Sequence, residues 1–121
     1  MELRKLTQNE IEITLELLEE YGDLEDQLIS GEAEYLELEK QEIETIRRRL
    51  ECGDLWAWCT VKVSAKWGTF EGVDYLGACS YQDENEFRAP GGYYQGMIEE
   101  ALADLNNQIA ATHAAIKTLE V

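Results

Sequence analysis

From residue 55 to residue 67 the chain alternates. Leu55, Ala57, Cys59, Val61, Val63, Ala65 and Trp67 are separated by Trp56, Trp58, Thr60, Lys62, Ser64 and Lys66. A period of two held over this length is the pattern of a β-strand with one face buried. The alternation resumes at Val73, Tyr75, Gly77, Cys79 and Tyr81, and Gly68-Thr69-Phe70-Glu71-Gly72 between the two runs reads as a loop. The pattern therefore predicts a β-hairpin over about 55–67 and 73–81. Facing Trp67 with Val73 puts both apolar sets on one face and sets Lys66 against Asp74. A slip of one residue brings Asp74 or Ser80 inward instead. Two strands alone make a poor sheet. A third is expected from residues 2–6 or from a second copy of the chain.

The flanking segments follow the helical period. Thr7-Gln8-Asn9-Glu10 fits a capping box, and Ile11, Leu15 and Leu18 recur after it at helical spacing, with Leu17 widening the stripe. These signals predict a first helix that stops at Gly22. A short helical piece is expected at 24–29. A second long helix is expected over 32–51, where Leu36, Ile43 and Leu50 lie seven apart and Ile46 falls between the last two. Its acids lead and Arg47, Arg48 and Arg49 close it, as the helix dipole favours. Asp83 to Glu86 opens a further short turn, broken by Pro90-Gly91-Gly92. The last helix is expected over 94–119, on a heptad seam of Ile98, Leu102, Leu105, Ile109, Thr112, Ile116 and Leu119. A helix of this length outspans the hairpin, so a homo-oligomer through the C-terminal helix is expected. The predicted class is α+β in a single domain over 1–121: two N-terminal helices, a β-hairpin and a long C-terminal helix.

Charge narrows the function. The 121 residues carry 26 acids against ten bases, a net of −16. A field of that sign repels nucleic-acid phosphates and anionic membranes, which argues against direct DNA binding and for a basic partner. Plain solubility and a halophilic source are the competing explanations of the acidity. A hydrophobic fraction of 45% is that of a globular chain and argues against disorder. Three cysteines, Cys52, Cys59 and Cys79, with no CxxC spacing fit neither a disulfide framework nor a zinc site. The start MELRKLTQNE has no apolar run, and no stretch has the length of a membrane span. Reduced thiols and a cytoplasmic location are expected, without cofactor or metal.

Between Glu10 and Ile46 there are 14 acids and one base, Lys40. On a helix, acids three or four residues apart lie about 5–6 Å from each other, close to the spacing of neighbouring phosphates on a DNA strand. Glu12, Glu16, Glu19 and Glu20 form one such row. Glu32, Glu39 and Glu42 with Glu34, Glu37 and Glu44 form others, and all ten are candidate partner-binding residues. A Glu-rich helix face is also what solvent exposure alone produces. Arg47 and Arg48, with Trp56, Trp58 and Lys62 on one expected strand face, make a candidate ligand pocket for an anion or a nucleobase. Those aromatics serve equally as core. No catalytic residues are assigned: the single histidine, His113, lies in an Ala-rich stretch without a nucleophile at a recognisable spacing, and no GxSxG, HExxH, P-loop or GxGxxG occurs.

Three stretches carry a resemblance: Asp54-Leu-Trp-Ala-Trp-Cys-Thr-Val61, Asp74-Tyr-Leu-Gly-Ala-Cys-Ser-Tyr81 and Gly91-Gly-Tyr-Tyr94. Together, over roughly residues 54–105, they look like a segment of short accessory proteins carried by phages and plasmids. The acidic helices resemble, in character, the phage DNA mimics that inhibit restriction and CRISPR enzymes. These likenesses imply a non-catalytic anti-defence inhibitor that occupies the groove of a basic nucleic-acid-binding protein. The alternatives are a nucleotide or small-molecule sponge using the aromatic hairpin, and an oligomeric structural or adaptor protein.

Overall fold

The structure, a computed structural model, describes residues 2–20 and 22–121. In chain order it contains strand β1 (Glu12–Leu18), helices α1 (Leu24–Leu28) and α2 (Leu36–Glu51), strands β2 (Cys59–Trp67) and β3 (Phe70–Cys79), and helices α3 (Glu84–Arg88) and α4 (Tyr94–Lys117). Single 3-10 turns occur at Gln8–Glu10, Ala33–Tyr35 and Leu55–Ala57. The strands form one antiparallel sheet in the order β1-β2-β3. The class is α+β, with helical structure before the hairpin and a long helix after it, as the sequence predicts.

The helix expected after Thr7 does not form. Its capping box does: the Thr7 N–H donates to Glu10 Oε1 at 3.1 Å, and the Glu10 N–H closes the turn on the Thr7 carbonyl at 3.0 Å. It caps a single 3-10 turn, after which Ile11 is extended at φ −122, ψ 160. The segment that follows becomes β1, and its sequence holds the reason. Ile13, Leu15 and Leu17 alternate with Glu12, Thr14 and Glu16, and Ile and Thr are β-branched residues that pack well on a pleated surface. A two-stranded hairpin is marginal without a third strand. β1 supplies that strand, and residues 2–6, the alternative source, form no strand.

The hairpin turn is tighter than expected. Gly68-Thr69 alone connects β2 to β3, with Gly68 at φ +59 in the first central position of the turn, where glycine is favoured. Trp67 thus faces Phe70 and not Val73. The changed register sends Gly72 and Leu76 inward and leaves Tyr75, expected inside, 53% exposed. Cys79 still ends up buried, because Ala78 adopts φ 54 and breaks the alternation one residue before it. Residues 55–57, expected in the first strand, form a 3-10 turn, although the Tyr81 N–H still pairs with Trp56 O at 2.8 Å beyond the strand ends.

The chain sorts into two compact units, each drawn from separate stretches. The first takes Met1–Glu16, Lys62–Tyr75 and Arg88–Val121. Here α4 buries Met97, Ile98, Ala101 and Leu105, and the hairpin buries Val63 and Ala65. A Cβ on Gly72 would overlap Ala101 O and Leu105 N and stand 2.9 Å from Leu105 Cα, so only glycine allows α4 this close. Side chains of α4 then satisfy nearby backbone. The Val73 N–H donates to Asp104 Oδ2 at 3.0 Å, and Gln108 Nε2 donates to Glu71 O at 2.9 Å. Asn106 holds the N-terminal arm as a strand neighbour would, accepting the Leu6 N–H at 2.9 Å and donating to Leu6 O at 3.1 Å. Beyond Ile109 the helix is exposed except for half-buried His113, with Ile116 at 54% and, past the helix end, Leu119 at 77%.

The second unit takes Leu17–Val61 and Leu76–Phe87. Ile46, Ala57 and Trp58 form its centre, with Leu24, Leu28 and Leu50 packed against them. Beside them Trp56, Tyr81 and Phe87 stack as a trio, with ring centroids 5.0 to 6.2 Å apart and two of the three pairs edge-on. Glu20 supplies a polar staple: its carboxylate accepts from the Gly22 N–H at 3.0 Å, from Thr60 Oγ1 at 3.0 Å and from the Ala78 N–H.

Candidate functional site

The acidic residues divide by what holds them. Glu12, Glu16 and Glu19 are exposed, but Glu12 and Glu16 stand on a strand and not on a helix. Four strand residues span about 13 Å, so the phosphate-like spacing expected of this row is lost. Glu20 leaves the row altogether, because its carboxylate is bonded inside the second unit. Glu39 is likewise committed: it is half-buried and accepts from the Ser30 N–H at 3.1 Å and from Ser30 Oγ at 2.6 Å. A mid-helix acid that ties back a preceding loop is not distinguished in sequence from its exposed neighbours.

Glu32, Glu34, Glu37, Glu42 and Glu44 remain, all exposed on the turn that precedes α2 or on α2 itself. They do not make one row. At 3.6 residues per turn, Glu37 and Glu44 share a face two turns apart, about 10 Å, and Glu42 lies roughly across the axis. Glu44 pairs with Arg48 at 3.2 Å; the other four join no ion pair or hydrogen bond through their carboxylates among the described residues. Crowding of like charge shows at α1. The carboxyl of Asp23 is raised above its ordinary value by its hydrogen bond with the carboxyl of Glu25, and Glu25 is lowered by the same bond and by Arg47. The Arg47 guanidinium, paired with Glu25, adds to that lowering.

The candidate ligand pocket is not assembled. Arg47 pairs with Glu25, Arg48 with Glu44, and Lys62 lies 3.8 Å from Glu71 and over the Tyr75 ring at 5.9 Å. Trp56 sits in the aromatic trio, and Trp58 is buried with Nε1 donating to Gly22 O at 3.4 Å. The two tryptophans do not share a strand face, because the chain is a 3-10 turn at Trp56. Arg49, the third arginine, is the one that builds something. Its Nε donates to Asp54 at 2.8 Å and its Nη2 to Tyr81 O at 2.6 Å, on the wall of a polar cleft of about 550 Å³ lined also by Thr45, Ser80, Gln82 and Glu86. With its guanidinium bound to Asp54 and Tyr81, Arg49 acts as a brace joining the end of α2 to the end of β3.

The remaining reactive groups are held quiet. Burial pushes the Cys59 thiol up to about 12 and raises Cys79 as well, whereas Cys52 is exposed. His113 Nε2 is out of reach of water and has no hydrogen-bond partner among the described residues. Among those residues no His/Cys/Asp/Glu group is arranged to hold a metal ion, and no helix is long and apolar enough to cross a membrane. No protein-family model, no curated protein and no solved structure matches the chain.

Proposed function

We propose that the protein is a non-catalytic binding protein whose acidic second unit occupies the nucleic-acid groove of a basic partner. One observation carries this reading. The second unit holds 16 acids against four bases, while the first holds ten against six. Three of the second unit's four bases are taken up by internal pairs, which leaves Glu32, Glu34, Glu37 and Glu42 facing solvent unopposed. Such carboxylates attract a Lys- and Arg-lined groove over a distance of about 10 Å at ordinary ionic strength. A phage or plasmid origin and an anti-defence role belong to the same proposal; the first rests on the resemblance of residues 54–105, the second on that resemblance together with the likeness in character of the acidic segment to phage DNA mimics. The sponge reading loses its support, because the aromatics and arginines it needs are engaged elsewhere.

The test is competition. The intact chain is used to capture a nucleic-acid-binding protein from a bacterial lysate, and duplex DNA is added as competitor. DNA should displace the captured partner, and capture should weaken with added salt. The triple variant Glu34→Gln, Glu37→Gln, Glu42→Gln should fold and capture at least about tenfold less at low salt. Capture unchanged in that variant, or unaffected by DNA, ends this reading.

A second reading, the homo-oligomer through α4, is favoured by the exposure of Ile116 and Leu119 and by the absence of any acid between Leu105 and Leu119. Sedimentation at micromolar concentration decides it: a species of 13.8 kDa is the monomer.

A further inference from the structure

The sheet has two edges, and the fold treats them differently. β3 forms one. Its outward backbone groups near the turn are taken by α4, the Val73 N–H by Asp104 and the Glu71 carbonyl by Gln108. β1 forms the other. Over Glu12 to Glu16, all within the first unit, no side chain and no loop bonds the outer backbone among the described residues. An open edge is a row of unmet donors and acceptors and a template for another strand.

The side chains on this edge say what that strand should carry. Glu12 and Glu16 are exposed, lie on one face by the period of two, and join no ion pair among the described residues. Thr14 separates them, and Ile13 and Leu15 are half-buried on the opposite face. We propose that the outer edge of β1 takes up an extended segment of a partner protein. In that segment basic residues four apart stand opposite Glu12 and Glu16, and apolar residues on the other face continue the layer of Ile13 and Leu15.

Charge selects this occupant over a second copy of the chain. Antiparallel self-pairing centred on Thr14 sets Glu12 opposite Glu16 twice, and like charges directly opposite are destabilising. A cationic strand turns both carboxylates into favourable cross-strand pairs, while the backbone hydrogen bonds hold the register. The proposal stands apart from the role given to α2, whose carboxylates are on another element.

The test uses the full chain and a labelled Lys-Val-Lys-Val-Lys-Val-Lys peptide. A second peptide of identical sequence is N-methylated at its three central residues, which keeps every charge and side chain but cannot pair as a strand. Fluorescence anisotropy at low salt should show the first peptide binding and the methylated one binding at least about tenfold more weakly, since several backbone hydrogen bonds are lost. Amide exchange should slow at residues 12–16 in the presence of the first peptide. The double variant Glu12→Lys, Glu16→Lys should exchange this preference for a Glu-Val peptide. Equal binding of the two lysine peptides, or binding of neither, overturns the proposal and leaves Glu12 and Glu16 as charges that guard an edge. Protection of 12–16 that grows with protein concentration in the absence of peptide overturns it too, and assigns the edge to a second copy.

Discussion

In the first unit a long helix comes so close to the hairpin that residue 72 has no room for a side chain, and three polar side chains of that helix, Asp104, Asn106 and Gln108, hold neighbouring backbone. The second unit is built the other way. Its helices are short or amphipathic, its centre is rings and branched aliphatics, and its polar order depends on Glu20 and Arg49 reaching across chain segments. The difference extends to charge: −4 in the first unit and −12 in the second. Backbone contact leaves the first unit little tolerance for substitution at the helix–sheet junction. In the second, the carboxylates bonded inside the unit, Glu20, Glu39 and Asp54 among them, are distinct from those of Glu32, Glu34, Glu37 and Glu42, which bond nothing among the described residues.

The sharpest way to test this contrast is to remove a centre from each unit. Phe87 is 1% exposed inside the aromatic trio, and Phe87→Ala should cost about 4 kcal/mol in urea denaturation. Gly72→Ala replaces no interaction and only adds a methyl group, yet should cost about 3 kcal/mol because the obstructing atoms are helix backbone. A neutral Gly72→Ala would show that the close approach of α4 is not what holds the first unit.

Arg49 comes next. Arg49→Met keeps the length of the side chain but leaves Asp54 and the Tyr81 carbonyl without their donor. A loss of about 2 kcal/mol is expected. The triple neutralisation Glu34→Gln, Glu37→Gln, Glu42→Gln should move stability by no more than about 0.5 kcal/mol per site, in the stabilising direction at low salt. A thermal melt in which it destabilises the chain strongly would place these carboxylates among the structural ones.

The smallest effect is at the N-terminal arm. Glu10 titrates near 2 in the fold against an ordinary 4.5, chiefly because Arg4 bonds its carboxylate. The unfolded chain therefore takes up this proton first as pH falls. The contribution of Glu10 is complete above its ordinary value and disappears as pH drops through about 2. Glu10→Gln should loosen the arm at pH 7, seen in the amide shift of Leu6, and should match the native chain near pH 2.

The helices α2 and α4 were legible because their signals are local, a helical period of apolar residues in both and arginines in the last turn of α2. The hairpin was legible for the same reason, since alternation survives in any register. Residues 11–18 were ambiguous. Ile11, Leu15 and Leu18 fit a helix, Ile13, Leu15 and Leu17 fit a strand, and a sound capping box pointed to the wrong one. What decided was the hairpin's need for a third strand, which lies more than 40 residues away in the chain.

The acidic candidates follow the same division. The sequence by itself determined the charge, the α+β class, the buried faces of β2 and α2 and the burial of Cys59, because each depends on composition or on near neighbours along the chain. Only the tertiary structure decided that Glu20 and Glu39 are internal acceptors, that Arg47, Arg48 and Arg49 each have a separate partner, and that Gly72 is a contact point and not a loop residue. A carboxylate or a glycine looks the same in sequence whether it faces water or a distant segment, and the distinction arises only when folding brings that segment within hydrogen-bonding or van der Waals reach.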